Sequence, residues 1–259
     1  MARRRAGRSP AFSPALALLV AAVALAAIGV VAWRTFREYR PDPERYPLRG
    51  IDVSHHQHAI DWTKVAADDV AFAYLKATEG GDYRDDAFAR NWDAARAAGL
   101  AVGAYHFFTF CRPGAEQADN VLATVPAAAD ALPLVVDLEF GGNCGRVPAP
   151  TDLRGELDAF LARVEPARGR RVVFYVTAEF LDAYGAALPP RALWRRSLLR
   201  EPEPLARWVL WQYHNRGRVD GIDGPVDLDV FFAGPEAFAA WRGAVAADAR
   251  PWVARPPGP

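Results

Sequence analysis

The chain of 259 residues contains only two cysteines, and this scarcity limits the sites that it can build. Cys111 and Cys144 are too few for a structural zinc centre, and no histidines stand at a matching spacing. We therefore predict no metal site. Both cysteines fall in predicted loops that follow strands, so we expect a disulfide of the kind found in exported proteins, with two free thiols as the alternative.

The signatures of several other protein classes are also lacking. No glycine-rich loop follows the first predicted strand, which weakens a nucleotide-binding interpretation. No G-x-S-x-G motif surrounds Ser54, which argues against a serine nucleophile. A metal site built from Asp52, His55 and Asp137 would have no familiar spacing. These absences leave a different kind of site to be found.

An excess of positive charge is absent from most of the chain. Lysine and arginine together number 31, as do aspartate and glutamate. Residues 1–40 hold seven of the arginines and one glutamate, so the remainder carries 24 basic against 30 acidic residues. Binding of nucleic acid requires a basic surface, and we therefore predict no nucleic-acid partner.

Long hydrophobic runs are absent except for one near the N-terminus. Residues 15–33 are nineteen apolar residues without a charge, close to the roughly 20 that span a bilayer. We predict an uncleaved anchor that leaves the following domain periplasmic or extracellular. Cleavage near residues 24–26 is the alternative and would secrete the protein. The predicted organisation is a basic cytoplasmic segment (1–14), a transmembrane signal anchor (15–33), a linker (34–47), a globular domain (48–250) and a proline-rich tail (251–259).

The globular domain alternates apolar runs with amphipathic ones. Three helices are predicted, within residues 85–99, 114–125 and 152–164. Near-continuous apolar strands between helices indicate a parallel sheet covered on both faces, and so many strands in about 200 residues favour a closed barrel. We therefore predict an α/β fold with a single modified, TIM-like β/α barrel that becomes less regular in its second half. The predicted strands lie within residues 48–54, 70–77, 100–108, 132–139, 170–177, 207–214 and 226–232, with a weaker candidate at 192–199.

Two acids follow one of these apolar strands. In "LPLVVDLEFGG", Asp137 and Glu139 are two residues apart and therefore point to the same face of the strand. Two carboxyls that share a cavity repel each other, so one can stay protonated while the other is charged. Hydrolysis of a glycosidic bond needs this combination of an acid and an anion. Helix capping or salt bridges are the structural alternative for such a pair.

Polar and aromatic residues at other strand ends favour the functional interpretation. Asp52 lies in the first strand and Asp227 in the last, and functional groups of β/α barrels gather at the strand ends on one face. Acids with aromatic walls suit a ligand that has both apolar ring faces and hydroxyl groups, as sugars do. The further binding candidates are Tyr105, Tyr175, Trp211 and Gln212.

The motifs "GIDVSHHQHAIDW", "FAYLKATEG", "GAYHFF", "LPLVVDLE", "WQY" and "GPVDLDVF" occur in an order that resembles glycoside hydrolase family 25, the lysozymes of the Chalaropsis type. The resemblance covers about residues 48–232. It implies a catalytic β/α barrel that hydrolyses the β-1,4 bond between N-acetylmuramic acid and N-acetylglucosamine in peptidoglycan without a cofactor. A non-catalytic peptidoglycan-binding module and a hydrolase of another N-acetylated glycan are the alternatives. The partners expected from it and from the anchor are glycan strands and a membrane, with the protein a monomer.

The resemblance also implies roles for single residues. Glu139 matches the general acid, and Asp137 matches the residue that stabilises the transition state, by orienting the substrate's 2-acetamido group or as a nucleophile. Asp52 and Asp227 match the other acids of the cleft, and Lys76 and Glu79 add to the binding candidates above. Asp229 stands where the family often has Asn, which suggests structural support. The chain also departs from the family at Arg195 and Arg196, where small or apolar residues are usual, and this puts one sugar subsite in doubt.

Overall fold

The computed structural model describes residues 13–203 and 208–243 and separates the chain into two units, one up to Tyr39 and one from Arg40 onward. The described part of the first unit is mainly a helix, α1 (Pro14–Arg37), which contains the predicted anchor and has no buried residue. It is long and apolar enough to cross a membrane. Most of the predicted segment 1–14 and all of the predicted tail 251–259 lie outside the described residues.

The described residues of the second unit form nine strands. All eight predicted strands are present, and β3, a two-residue strand, was not predicted. The strands are β1 (Arg49–Val53), β2 (Phe72–Glu79), β3 (Tyr83–Arg84), β4 (Ala101–Phe107), β5 (Val135–Leu138), β6 (Val173–Val176), β7 (Ala192–Arg196), β8 (Trp208–Gly217) and β9 (Val226–Phe231).

Six helices surround the strands in the described residues. The predicted helices correspond to α3, α4 and α5, whereas the shorter α2, α6 and α7 were not predicted. The helices are α2 (Trp62–Ala67), α3 (Phe88–Ala97), α4 (Gly114–Thr124), α5 (Pro150–Arg168), α6 (Ala178–Tyr184) and α7 (Pro235–Gly243).

Eight of the strands close into a barrel, as the sequence predicted. Strands β2, β4, β5, β6, β7 and β8 follow one another in parallel, and β1 pairs in parallel with β2. Strand β9 completes the circle by pairing antiparallel with both β8 and β1. An antiparallel neighbour can be reached by a short loop without a crossover helix. This explains the irregular second half of the barrel.

Large aromatic side chains fill the barrel interior. Tyr74 and Trp194 are almost fully buried, with ring centroids 5.0 Å apart, and Tyr175 meets Trp194 edge-on at 5.2 Å. Phe72 and Phe231 belong to the same buried cluster, to which α7 adds two further aromatic rings. Because this cluster closes the barrel from within, polar side chains near it line a cleft rather than a channel.

A disulfide joins Cys111, in the loop after β4, to Cys144, in the loop after β5. Asn143 strengthens the same connection, because its side-chain amide donates to the carbonyl oxygens of Phe108 and Glu139 at 2.9 and 3.1 Å. Its side-chain oxygen accepts from the backbone N–H of Phe110 at 3.0 Å. The chain just beyond β5 is therefore held in place by both covalent and hydrogen-bonded links.

Candidate active site

A polar cavity of about 340 Å³ opens at the carboxyl ends of the parallel strands. Side chains from seven of the eight barrel strands converge on it. Nearly all are polar or charged, and two of them, Tyr175 and Trp194, also belong to the aromatic cluster described above. The lining residues are Asp52, Tyr105, Asp137, Glu139, Tyr175, Trp194, Arg196, Gln212, Asn215 and Asp227.

The end of β5 supplies the first two acids. Asp137 lies within the strand and Glu139 just beyond it, so the alternation of side chains directs both into the cavity. Asp137 is buried, whereas the Glu139 side chain is 22% exposed. One oxygen of Asp137, Oδ1, has no hydrogen-bond partner in the described structure. The cavity thus holds a buried carboxyl with a free oxygen beside a more accessible one.

The other two acids face each other across the seam where the barrel closes. Asp52 of β1 pairs in register with Asp227 of β9. Because β9 runs antiparallel to its neighbours, its first residues lie at the same end as the last residues of β1. The Gln212 side chain donates to Asp52 Oδ2 at 2.8 Å and accepts from the Tyr175 hydroxyl at 2.9 Å. Asp52 is therefore fixed by a chain of hydrogen bonds that crosses the cleft.

Burial makes all four acids weaker than usual. It raises the pKa of Asp137 well above its ordinary range, and the charges of Glu139 and Asp52 raise it further. Burial also raises the pKa of Glu139, against the lowering effect of Arg196. The pKa of Asp52 is raised to about 6 and that of Asp227 to about 8, again by burial first. Near neutral pH the cavity can therefore offer protonated and charged carboxyls side by side.

Comparison with known proteins agrees with this geometry. Residues 51–222 match the model of the glycosyl hydrolases family 25. The chain belongs to this family. It is 37% identical over 202 residues to lysozyme M1 of Streptomyces globisporus, covering 71% of this chain and 67% of that protein. A family 25 glycosyl hydrolase from Bacillus anthracis superposes with a TM-score of 0.73 at 36% identity, covering 78% of this chain and 96% of that one. A bacterial lysozyme from Streptomyces coelicolor gives a TM-score of 0.68 at 32% identity, covering 78% and 98%.

Asp229 lies two residues deeper along β9 of this family 25 barrel. Its side chain is fully buried, and Oδ1 accepts a hydrogen bond from Trp194 Nε1 at 2.9 Å. Burial raises its pKa well above the usual range, and the charges of Asp52 and Asp227 act in the same direction. The hydrogen bond holds Trp194 in place below the acids.

Three of the predicted binding residues lie outside the cavity lining. Lys76 donates a hydrogen bond to Glu79 Oε2 at 2.6 Å. Although it does not line the cavity, its positive charge lowers the pKa of Asp137 and of Glu139. Trp211 is almost fully buried: its ring contacts Tyr46, and its N–H donates to the Ser197 carbonyl at 2.7 Å. The prediction that Trp211 faces the ligand therefore does not fit the structure, because alternation along β8 directs Gln212 inward instead.

Three cavity residues were absent from the predicted site. Trp194 and Arg196 lie two residues apart on β7, and their shared direction follows from the same alternation that identified the acids on β5. Asn215 belongs to β8, which extends three residues beyond the predicted strand end. Side-chain alternation could have identified Trp194 and Arg196, but the weak apolar pattern of residues 192–199 left their strand uncertain.

The raised pKa of Asp227 predicts a pH-dependent stability. Folded Asp227 keeps its proton up to about pH 8, whereas the unfolded side chain loses it near 3.8. Its stabilising contribution is therefore complete below about pH 4 and is lost as the pH rises to 8. Asp227→Asn, which keeps the shape without the charge, should unfold at the same temperature as wild type near pH 4. At pH 9 its free energy of unfolding should exceed that of wild type by on the order of 1–2 kcal/mol, which raises the unfolding temperature by roughly 2–8 °C.

Thermal unfolding of both proteins between pH 4 and 9 tests this expectation. Asp223→Asn removes an exposed carboxylate from the loop before β9 and serves as the matched control for the substitution itself. A constant difference between Asp227→Asn and wild type across this range would contradict the argument.

Proposed function

We propose that this chain is a peptidoglycan hydrolase of the lysozyme type that cleaves the β-1,4 bond between N-acetylmuramic acid and N-acetylglucosamine. The observation that carries the proposal is the convergence of Asp52, Asp137, Glu139 and Asp227 on one cavity in a family 25 barrel. The names of its relatives from two Streptomyces species support the same activity.

The proposed roles follow from exposure and charge. Glu139 is the more accessible member of its pair and its pKa is raised by burial, so it donates the proton to the leaving oxygen. Asp137 lies deeper and presents the unpartnered Oδ1 to the substrate. It either orients the 2-acetamido group for attack on the anomeric carbon or attacks that carbon itself. In both cases Asp137 acts as an anion. Burial favours its neutral form, whereas the charge of Lys76 lowers its pKa and favours the anion. Negative charge beside the oxocarbenium-like transition state then lowers the energy of that state.

The remaining residues position the reacting groups. The chain from Tyr175 through Gln212 to Asp52 holds that acid against the opposite wall of the cleft. Asp227 lies beside it in register, and each negative charge raises the pKa of its neighbours. Tyr105 completes the polar lining, while Lys76 and Glu79 act on the acids from outside the cavity. Each of these roles is a part of the proposal.

Digestion of purified sacculi tests the activity. After digestion by the full-length chain, the products are reduced with borohydride and analysed by mass spectrometry. A muramidase leaves N-acetylmuramic acid at every new reducing end, so muramitol is the expected product. Glucosaminitol would assign a different glycosidic bond. Binding to sacculi without release of any fragment would instead identify a non-catalytic peptidoglycan-binding module and refute the proposal.

We also propose that α1 anchors the enzyme in a membrane with the barrel on the periplasmic or extracellular side. Its exposed apolar surface, the four arginines before the span against three arginines and a glutamate just after it, and the disulfide in the barrel support this placement. After cell fractionation, the full-length chain should resist extraction from membranes by carbonate. Recovery from the culture medium with a new N-terminus near residues 24–26 would show that the segment is a cleaved signal.

A further inference from the structure

The cavity contains a charged side chain that the catalytic roles above do not use. Arg196, the last residue of β7, supplies the single positive charge among the ten residues that line the cavity. Its side chain is 35% exposed, and its Nη1 lies 3.8 Å from Glu139 Oε2. That distance permits attraction but is too long for a hydrogen bond. The guanidinium makes no hydrogen bond within the described residues.

The backbone that carries Arg196 is held firmly. The next residue, Ser197, donates its N–H to the Gln212 carbonyl at 3.1 Å, and its own carbonyl accepts from Trp211 Nε1 at 2.7 Å. The N–H of Leu199 donates to the Tyr213 carbonyl at 2.8 Å. A rigid base under a guanidinium whose donors are free is the arrangement expected of a binding residue, because little entropy is lost when a ligand is bound.

The donor pattern defines the ligand chemistry. A guanidinium presents paired N–H groups in one plane, which match the two oxygens of a carboxylate. Glu139 cannot fill this role at 3.8 Å, and a general acid that carries a proton would not hold the guanidinium in a tight pair. The guanidinium is therefore available to a second carboxylate at the same end of the cleft.

We propose that Arg196 is a specificity-determining residue that binds a carboxylate carried by the glycan next to the scissile bond. This inference rests on the proposed function and names a substrate class for it. In peptidoglycan, such a carboxylate has two sources: the lactyl group of a muramic residue that has lost its peptide, or an acidic residue of an intact peptide stem. Both offer the same planar anion to the guanidinium.

The test compares three substrates, of which the first two differ only in this charge. The first is stem-free glycan strands with free lactyl carboxylates, the second is the same strands with those carboxylates capped as methylamides, and the third is strands with intact stems. Steady-state kinetics are measured with the full-length wild type in detergent, with Arg196→Gln and with Arg196→Lys. Arg218→Gln removes an exposed arginine outside the cavity lining and is the matched control.

Arg196→Gln should raise KM at least tenfold on a carboxylate-bearing substrate relative to the methylamide strands. The KM of Arg196→Lys, which keeps the charge but not the paired donors, should fall between the KM values of Arg196→Gln and wild type. Added salt should reduce the preference of wild type for charged over capped strands. A loss confined to stem-free strands assigns the lactyl group as the ligand. A loss confined to stem-bearing strands assigns the peptide. Either result supports the proposal.

An equal change on charged and capped strands would overturn it. Arg196 also lowers the pKa of Glu139, Asp52 and Asp227, and this effect on the acids is common to all three substrates. Equal changes would therefore assign Arg196 to the acids alone. If the wild type cleaves none of the strands, the proposed function fails. Binding of the charged and capped strands to wild type and Arg196→Gln, measured by calorimetry, then still decides the role of Arg196.

Discussion

Glu139→Gln is expected to lower kcat on peptidoglycan by about 10²- to 10⁴-fold, the range over which a positioned general acid contributes. Glutamine keeps the size of the side chain but has no proton to give to the leaving oxygen. Because burial raises the pKa of Glu139, wild type holds this proton at a higher pH than an exposed glutamate would. The variant should therefore be impaired throughout the active pH range, and its residual activity should lose the alkaline limb set by Glu139.

The control for this substitution is Glu236→Gln, which removes a negative charge from the exposed first turn of α7, outside the cavity lining. It should keep wild-type activity within a factor of about two, since surface substitutions rarely disturb a site. The thermal unfolding of Glu139→Gln should confirm that the fold is retained. A Glu139→Gln enzyme that keeps more than a tenth of the wild-type kcat would refute the assignment of the acid.

Gly114→Ala is expected to have the largest effect on stability. Gly114 is the first residue of α4, and a Cβ atom there would lie 1.9 Å from the backbone oxygen of Glu156 in α5. Because the contact is with backbone, no rotamer change can relieve it, and the two helices must move apart. The cost is about 3 kcal/mol, at the upper end for overpacking, which lowers the unfolding temperature by roughly 6–12 °C.

Gly155→Ala provides the matched control. Gly155 lies in α5, one residue before Glu156, and a Cβ atom there meets nothing within 4 Å. Since alanine favours a helix more than glycine does, the free energy of unfolding of this variant should exceed that of wild type by about 0.5–1 kcal/mol. Thermal or urea unfolding of both variants tests the pair. If Gly114→Ala unfolds within 1 °C of wild type, the close helix contact is not as rigid as the structure indicates.

Strand predictions succeeded where an apolar run was long and bounded by turns. The runs that became β1, β2, β4, β5, β6, β8 and β9 were all recognised, since buried strands of a barrel are apolar on both faces. Residues 192–199 were harder, because Arg195 and Arg196 interrupt the pattern. The three unpredicted helices have six to nine residues, too few for a clear 3.6-residue period.

The pair at the end of β5 illustrates what local pattern is able to determine. Alternation along one strand places Asp137 and Glu139 on one face whatever the rest of the chain does. The same alternation places Trp194 and Arg196 on one face of their strand, but this strand was only a weak candidate. Alternation does not show which face of a strand lines the cavity. For that reason the sequence predicts both Trp211 and Gln212 as binding residues.

The apolar N-terminal segment, the β/α barrel and the spacing of the acids are predictable from the amino-acid sequence, because each of these depends on periodicity along short stretches of chain. The antiparallel entry of β9, which sets Asp227 opposite Asp52, is evident only in the folded protein. Only closure of the barrel removes water from these carboxyls and raises the pKa of each one. Register between distant strands and desolvation both depend on contacts across the whole fold, and no local pattern encodes them.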